Sequence, residues 1–194
     1  MKTTFYTGKG DKGKTLLGKC SYNKDEPLFE ALGTLDELNS VIGFCRIAAH
    51  GAKFNSIKKS LLNVQQNLFI AQAEIALLGF EKKIIKQKND KKKKIIKITA
   101  DKTTDIEYEL HAIDKKLPEL KNFIISGGSE LASRLDVARA VSRRLERRLV
   151  TLARSKKINK DLLQYCNRLS SLLFALARLV DHISGVRYEH PKYK

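Results

Sequence analysis

Apolar residues recur at helical spacing through most of this chain, and that periodicity limits what it can fold into. Leu28, Leu32, Leu35, Leu38, Ile42 and Cys45 follow the 3.6-residue repeat after Asp25, a candidate N-cap, with Pro27 in the opening turn. A second stripe, Leu61, Val64, Leu68, Ala71 and Ile75, predicts a helix over about Asn55–Leu78 that stops at Gly79. Ile106, Leu110 and Ile113 predict a third over Thr103–Lys116, closed by Pro118. Ala138, Val141, Leu145, Leu149 and Leu152 predict a fourth, from Gly127–Ser129 to about Arg154. The fifth, Asn159–Ile183, carries Leu162, Leu169, Leu173, Leu176, Leu179 and Val180. No alternating run long enough for a strand competes, so the expected fold is all-α: a five-helix antiparallel bundle in one domain over residues 1–194.

Tyr6-Thr7-Gly8-Lys9-Gly10-Asp11-Lys12-Gly13-Lys14-Thr15 precedes the bundle. Three glycines let successive N–H groups turn toward a ligand, and lysines and hydroxyls surround them. Such a segment suits a polyphosphate, although the G-x-x-x-x-G-K-[ST] spacing of a P-loop is absent. A basic, glycine-rich tail without a ligand is the alternative.

The formal net charge of +17 is confined to three patches. Residues 1–24 carry six lysines against Asp11, for +5, and residues 81–97 carry nine lysines against Glu81 and Asp90, for +7. Residues 134–157 carry nine Lys/Arg against Asp136 and Glu146, again +7, so the remainder sums to −2. Discrete patches fit a small polyanion better than the general basic surface of a nucleic-acid binder. The stretch 81–100 reads as a solvated lysine-rich loop. Cys20, Cys45 and Cys166 lack C-x-x-C spacing and read as reduced thiols. No apolar run approaches membrane-spanning length, and Met1–Leu16 lacks the apolar centre of a signal peptide, so a cytoplasmic location is expected.

On the fourth helix Arg139, Arg143, Glu146 and Arg147 recur at i, i+4, i+7 and i+8 and share a face. Three guanidiniums beside one carboxylate can clamp phosphates; a solvated face laced with ion pairs is the other reading. Arg144 and Arg148 form a separate, outward face. The opening Ser126-Gly127-Gly128-Ser129 exposes N–H groups that favour an anion. Gly33 within the first helix points to close backbone packing or a bound group, and Asp36, near the apolar side, calls for an arginine partner. Asn167, among the leucines of the fifth helix, reads a ribose or base, or bonds a neighbouring helix. The spacing Glu107 to His111 is i to i+4 and unpaired, unlike a di-iron Glu-x-x-His set. His50, His111, His182 and His190 read as surface or helix-end residues.

Taken together these segments resemble the propanediol-utilisation-type ATP:cob(I)alamin adenosyltransferases. The pattern T-G-x-G-D-x-G-x-T stands at Thr7–Thr15, and K-D-x-P-x-x-E-A-x-G-T-x-D-E-L-N-S at Lys24–Ser40. N-F-I-x-x-G-G-S, continuing through V-A-R-x-V-x-R-R-x-E-R-R-L-V, spans Asn122–Val150, and N-R-L-S-x-L-L-F-x-L-A-R spans Asn167–Arg178. Ser126 replaces a usual proline, and Asp136 a common histidine.

The resemblance implies a trimer with active sites between subunits, ATP and a corrinoid (cobalamin) as substrates, and Mg²⁺ carried mainly on the ATP phosphates, with K⁺ as a further ion. It implies that Thr7, Gly8, Gly10, Asp11, Lys12, Gly13, Thr15 and Lys24 bind ATP phosphates, and that Arg143, Glu146, Arg147 and Asn167 hold nucleotide. Arg143, Glu146 and Phe123 are the implied catalytic residues. Asp36 and Arg139 match a subunit-bridging pair. Phe123 matches an aromatic that covers the corrin's lower face, giving four-coordinate cobalt(II). After reduction, cobalt(I) attacks the 5′-carbon of ATP and expels triphosphate. A cobalamin reductase and an adenosylcobalamin-dependent acceptor enzyme are the implied partners. The rival readings are a non-catalytic ATP- and cobalamin-binding protein on the same fold and a nucleic-acid-binding helical protein.

Overall fold

The computed structural model describes residues 5–6, 8–80 and 96–193. Thr7 and most of the lysine-rich segment therefore lie outside the described residues. A two-stranded antiparallel hairpin, β1 (Lys14–Leu17) and β2 (Cys20–Asn23), precedes five α-helices among the described residues. These are α1 (Pro27–Ala48), α2 (Asn55–Leu77), α3 (Ala100–Asp114), α4 (Glu130–Ala153) and α5 (Lys160–Ile183), with a 3₁₀ turn at Ala52–Phe54.

The hairpin corrects the all-α expectation. Its register pairs Lys14 with Asn23 and Leu17 with Cys20, leaving Gly18 and Lys19 as the turn. Gly18 has φ +64°, and a Cβ there would stand 2.5 Å from the Phe80 ring, so only glycine fits. Leu17 lies against Gly79 and Leu28, where a Cβ on Gly79 would approach it to 2.5 Å. The Tyr22 hydroxyl donates to the Gly79 carbonyl, and its ring meets Phe29 at 5.4 Å between centroids. Tertiary contacts with the α1 start and α2 end thus hold strands of only four residues.

Each helix buries the stripe expected of it, except that Leu32 and Leu110 are only half-buried. Leu28, Leu35, Leu38 and Ile42 of α1 meet Leu61, Leu68 and Ile75 of α2 in one core with Leu135, Leu145 and Leu149 of α4. Helix α5 packs against both α3 and α4, and for that reason buries 12 of its 24 residues. Burial pushes the Cys45 thiol up to about 11 and Cys166 up to about 12, so both stay protonated and inert at neutral pH. All three cysteines are free thiols.

Polar side chains fix the ends. The first helix is capped by Glu26, not Asp25: Glu26 is extended (φ −67°, ψ 146°) and its Oε1 accepts from the Asn23 N–H at 2.8 Å. Asn159 caps α5 by accepting from the Asp161 N–H, while its Nδ2 donates to the Ile98 carbonyl at 2.7 Å. The Ile98 N–H donates to Glu74 at 2.8 Å, which pins the chain entering α3. Among the described residues no helix is long and apolar enough to cross a membrane.

Candidate functional site

The segment between α3 and α4 has no regular structure, and it leaves Phe123 78% exposed. Phe123 is one of several large apolar side chains left exposed among the described residues, Phe69 and Tyr108 being others, and its surroundings rather than its exposure set it apart. Phe123 lines a cavity of about 380 Å³ with Leu120, Asp136, Arg139, Arg143 and Phe174. Leu120 and Phe123 also line a neighbouring cavity of about 640 Å³, closed by His190 and Tyr193. The C-terminal tail holds this segment: the Ile125 N–H donates to the Glu189 carbonyl at 2.9 Å, and His190 Nδ1 donates to the Phe123 carbonyl at 2.8 Å. His190 is exposed, as expected of a surface residue, but its bond to Phe123 could not be read from the sequence, because an unpatterned tail carries no signal of where it docks.

Ser129 caps α4 in extended conformation, and its hydroxyl donates to Asp181 Oδ1 of α5 at 2.7 Å. An anion does sit at this helix start, as the Ser-Gly-Gly-Ser run suggested, but it is the chain's own Asp181 carboxylate. A Cβ on Gly128 would stand 2.6 Å from Asp181 Oδ2, so glycine admits the carboxylate. Burial pushes the Asp181 carboxyl up from its ordinary value, and the hydrogen bonds from Ser129 pull the other way.

Further along α4, Arg143 and Arg147 are exposed, and their guanidiniums make no ion pair among the described residues. Glu146 is half-buried and accepts from Asn167 Nδ2 at 2.7 Å. Asn167 Oδ1 in turn accepts from Arg168 at 2.8 Å, and Arg168 pairs with Glu107 of α3 at 2.8 Å. A relay from α3 through α5 thus orients Glu146 between two unpaired arginines. Arg144 and Arg148, expected to face outward, pair instead with Glu37 and Glu30 of α1. They tie α4 to α1, and leave Arg143 and Arg147 as the cations of α4 without an ion pair among the described residues.

In the N-terminal loop Gly8 and Gly13 take positive φ, 68° and 73°. The Lys24 N–H donates to the Gly13 carbonyl at 2.9 Å, and a Cβ on Gly10 would lie 3.1 Å from Lys24 Nζ. Lys24 is thereby folded back over the glycines, with Asp11 and Lys12 exposed beside it and Thr15 half-buried in β1. The hairpin seats this loop at the α1–α2 end, whereas Arg143, Arg147 and Asn167 belong to the α4–α5 face.

Neither the arginine expected beside Asp36 nor the close packing expected as one reading of Gly33 is found among the described residues of the single chain. Asp36 is exposed and has no ion-pair partner among the described residues. Nothing lies within 4 Å of a Cβ built on Gly33, so no close packing in this chain requires that glycine. Arg139 pairs with Asp136, 3.0 Å from Nε to Oδ1, an i to i+3 bond on its own helix.

The family model described as cobalamin adenosyltransferase matches residues 5–180. A corrinoid adenosyltransferase of Bacillus subtilis is 38% identical over 93% of this chain and 88% of its own length. The corrinoid adenosyltransferase PduO of Citrobacter freundii is also 38% identical, over 91% of this chain and 50% of its own. A solved variant of a PduO-type ATP:corrinoid adenosyltransferase from Lactobacillus reuteri, complexed with cobalamin and ATP, superposes with a TM-score of 0.83. It shares 31% identity, covering 98% of this chain and 100% of that one. With matches of this breadth running through the loop, the Phe123 segment and the α4 arginines alike, the chain belongs to the cobalamin adenosyltransferase family.

Proposed function

We propose that this protein is an ATP:corrinoid adenosyltransferase that moves the 5′-deoxyadenosyl group of ATP to cobalt(I) of a corrinoid and releases triphosphate. The observation that carries the reading is the exposed Phe123 ring beside a cavity walled by Arg139 and Arg143. One apolar ring and two guanidiniums, that of Arg143 without an ion pair among the described residues, suit a macrocycle next to a polyphosphate.

The cobalt is its own nucleophile, so the protein needs no serine, cysteine or histidine base. Its task is to place the 5′-carbon in line and to stabilise the triphosphate as it leaves. The Gly8–Thr15 loop and Lys24 bind phosphates through N–H groups and ammonium charge, as does Thr7. Arg143 and Arg147 supply charge from α4, and Glu146, oriented by Asn167, holds a nucleotide hydroxyl or aligns an arginine. Asp11 is the single carboxylate of the loop, a donor set suited to Mg²⁺ that arrives on the phosphates, with K⁺ beside it. Phe123 packs on the corrin's lower face and denies cobalt a lower ligand.

The loop at the α1–α2 end and the arginines on the α4–α5 face complete one another between copies in a trimer of antiparallel helical bundles. Support comes from Asp36 and the outer nitrogens of Arg139, which are without partners among the described residues. A reductase supplies cobalt(I), an adenosylcobalamin-dependent enzyme takes the product, and the setting is cytoplasmic. The test is to incubate the purified protein with ATP and chemically reduced cobalamin, following the adenosylcobalamin spectrum and triphosphate release. Formation of both in equal amounts is expected. Binding of both substrates without product would leave a non-catalytic binder and overturn the proposal.

A further inference from the structure

We infer that Asp136 is a positioning residue that clamps the Nε edge of Arg139 and so aims the two outer nitrogens of that guanidinium at the substrate opening and the neighbouring copy. This rests on the proposed interfacial site. The position commonly carries histidine in the family pattern, so the device is a property of this chain.

The geometry is specific. Asp136 Oδ1 accepts from Arg139 Nε at 3.0 Å, one turn apart on α4, and both residues line the cavity that holds Phe123 and Arg143. Side chains on a helix lean toward its N-terminus, which carries the Arg139 stem back over Asp136. The side chains are only 17% (Asp136) and 31% (Arg139) exposed, so this bond is better shielded than an ordinary surface pair. A guanidinium held by Nε is fixed in plane, because its fork is rigid. Among the described residues nothing else bonds the Arg139 guanidinium, so Nη1 and Nη2 are free and oriented.

Charge explains why an acid serves here. Asp181 of α5 lies near enough to Asp136 for the two carboxylates to repel, with Tyr188 of the tail also in range. Arg139 is bonded to the Asp136 member of this acidic pair, which keeps it from swinging into solvent when no partner is bound. Its free edge faces outward, where the exposed, unpaired Asp36 of a second copy would meet it.

The test compares Asp136→Asn, which keeps an acceptor for Nε, with Asp136→Ala, which removes it, alone and in an Arg139→Met background. Should Asp136→Ala fail to fold, Asp136→Ser replaces it, since its hydroxyl is one atom too short to reach Nε. The readouts are the Arg139 Nε–H resonance by NMR, trimer content by sedimentation, and kcat/KM for the corrinoid. We expect a protected Nε–H signal in the wild type and Asp136→Asn that is lost in Asp136→Ala. Activity should fall about tenfold or more in Asp136→Ala, ~1.4 kcal/mol of barrier, and less than about threefold in Asp136→Asn, with no further loss when Arg139→Met is already present. A signal that survives in Asp136→Ala, losses that add in the double variant, or wild-type kinetics in Asp136→Ala would each overturn the inference. The NMR arm needs no turnover. A wild type that cannot adenosylate would therefore sink the functional reading while the resonance still decides whether Asp136 clamps Arg139.

Discussion

Gly128→Ala is a one-methyl perturbation whose cost can be worked out from the start of α4. The new Cβ would stand 2.6 Å from Asp181 Oδ2 and 2.8 Å from both Cγ and Oδ1. Restoring a contact of about 3.5 Å requires the carboxylate to retreat by ~0.9 Å. The Ser129 hydroxyl bond, 2.7 Å at present, then lengthens beyond hydrogen-bonding range. Losing a hydrogen bond to a buried charged group costs about 1.5–3 kcal/mol, and alanine returns about 0.4–1 kcal/mol by restricting the unfolded chain. The glycine is not in the left-handed region, so backbone strain adds nothing. The net loss is about 0.5–2.6 kcal/mol, a fall in melting temperature of roughly 1–10 °C for a chain of this size. Thermal unfolding by circular dichroism measures it, and Asp181→Ala provides the control. With the carboxylate gone the same substitution should be neutral or stabilising. An equal loss in both backgrounds, or no loss in either, refutes the assignment of Gly128 to Asp181.

Arg143→Ala should reduce adenosylation by two or more orders of magnitude, ~2.7 kcal/mol of barrier, with helicity by circular dichroism unchanged, because this exposed arginine supports no packing; near-normal turnover would remove it from the site. Asp36→Ala should shift sedimentation from trimer toward smaller species, and a fully assembled, active trimer would break the proposed link with Arg139. Glu109→Gln should raise the melting temperature at pH 7. Burial pushes the Glu109 carboxyl up from 4.5, against the Ser60 hydrogen bond, so stability present below pH 4.5 is lost as pH rises through the folded value. The advantage of the variant should vanish as pH falls toward 4.5, and an advantage that persists there would contradict the cause given.

The helices were legible because the apolar stripes are long and several are bounded by a glycine or proline: Gly79 after α2, Pro118 after α3, Gly127 before α4. The hairpin was not, since Lys-Thr-Leu-Leu and Cys-Ser-Tyr-Asn are too short and weakly patterned to read as strands. Their stability comes from Phe80, Gly79 and Leu28, brought together by the helices. The arginine face of α4 could be drawn from spacing, but which guanidiniums stay unpaired could not. Glu30 and Glu37 on α1 decide that, by taking Arg148 and Arg144. The same limit explains Asp181, an acid in the last turn of α5 that reaches a helix start 52 residues away. A helical wheel places Asp36 beside Leu35, whereas α1 turns it to the surface of the single chain.

The account stands most directly on where the corrin sits, and electron paramagnetic resonance of cobalt(II) reports that. With ATP and cob(II)alamin bound, the wild-type protein should give the signature of four-coordinate cobalt, and Phe123→Ala should lose it while keeping its melting temperature within about 1 °C, as an exposed ring requires. Chemically supplied cobalt(I) should still be adenosylated by that variant. A five-coordinate signal in the wild type, or a four-coordinate signal that survives Phe123→Ala, would contradict the placement of Phe123 under the corrin.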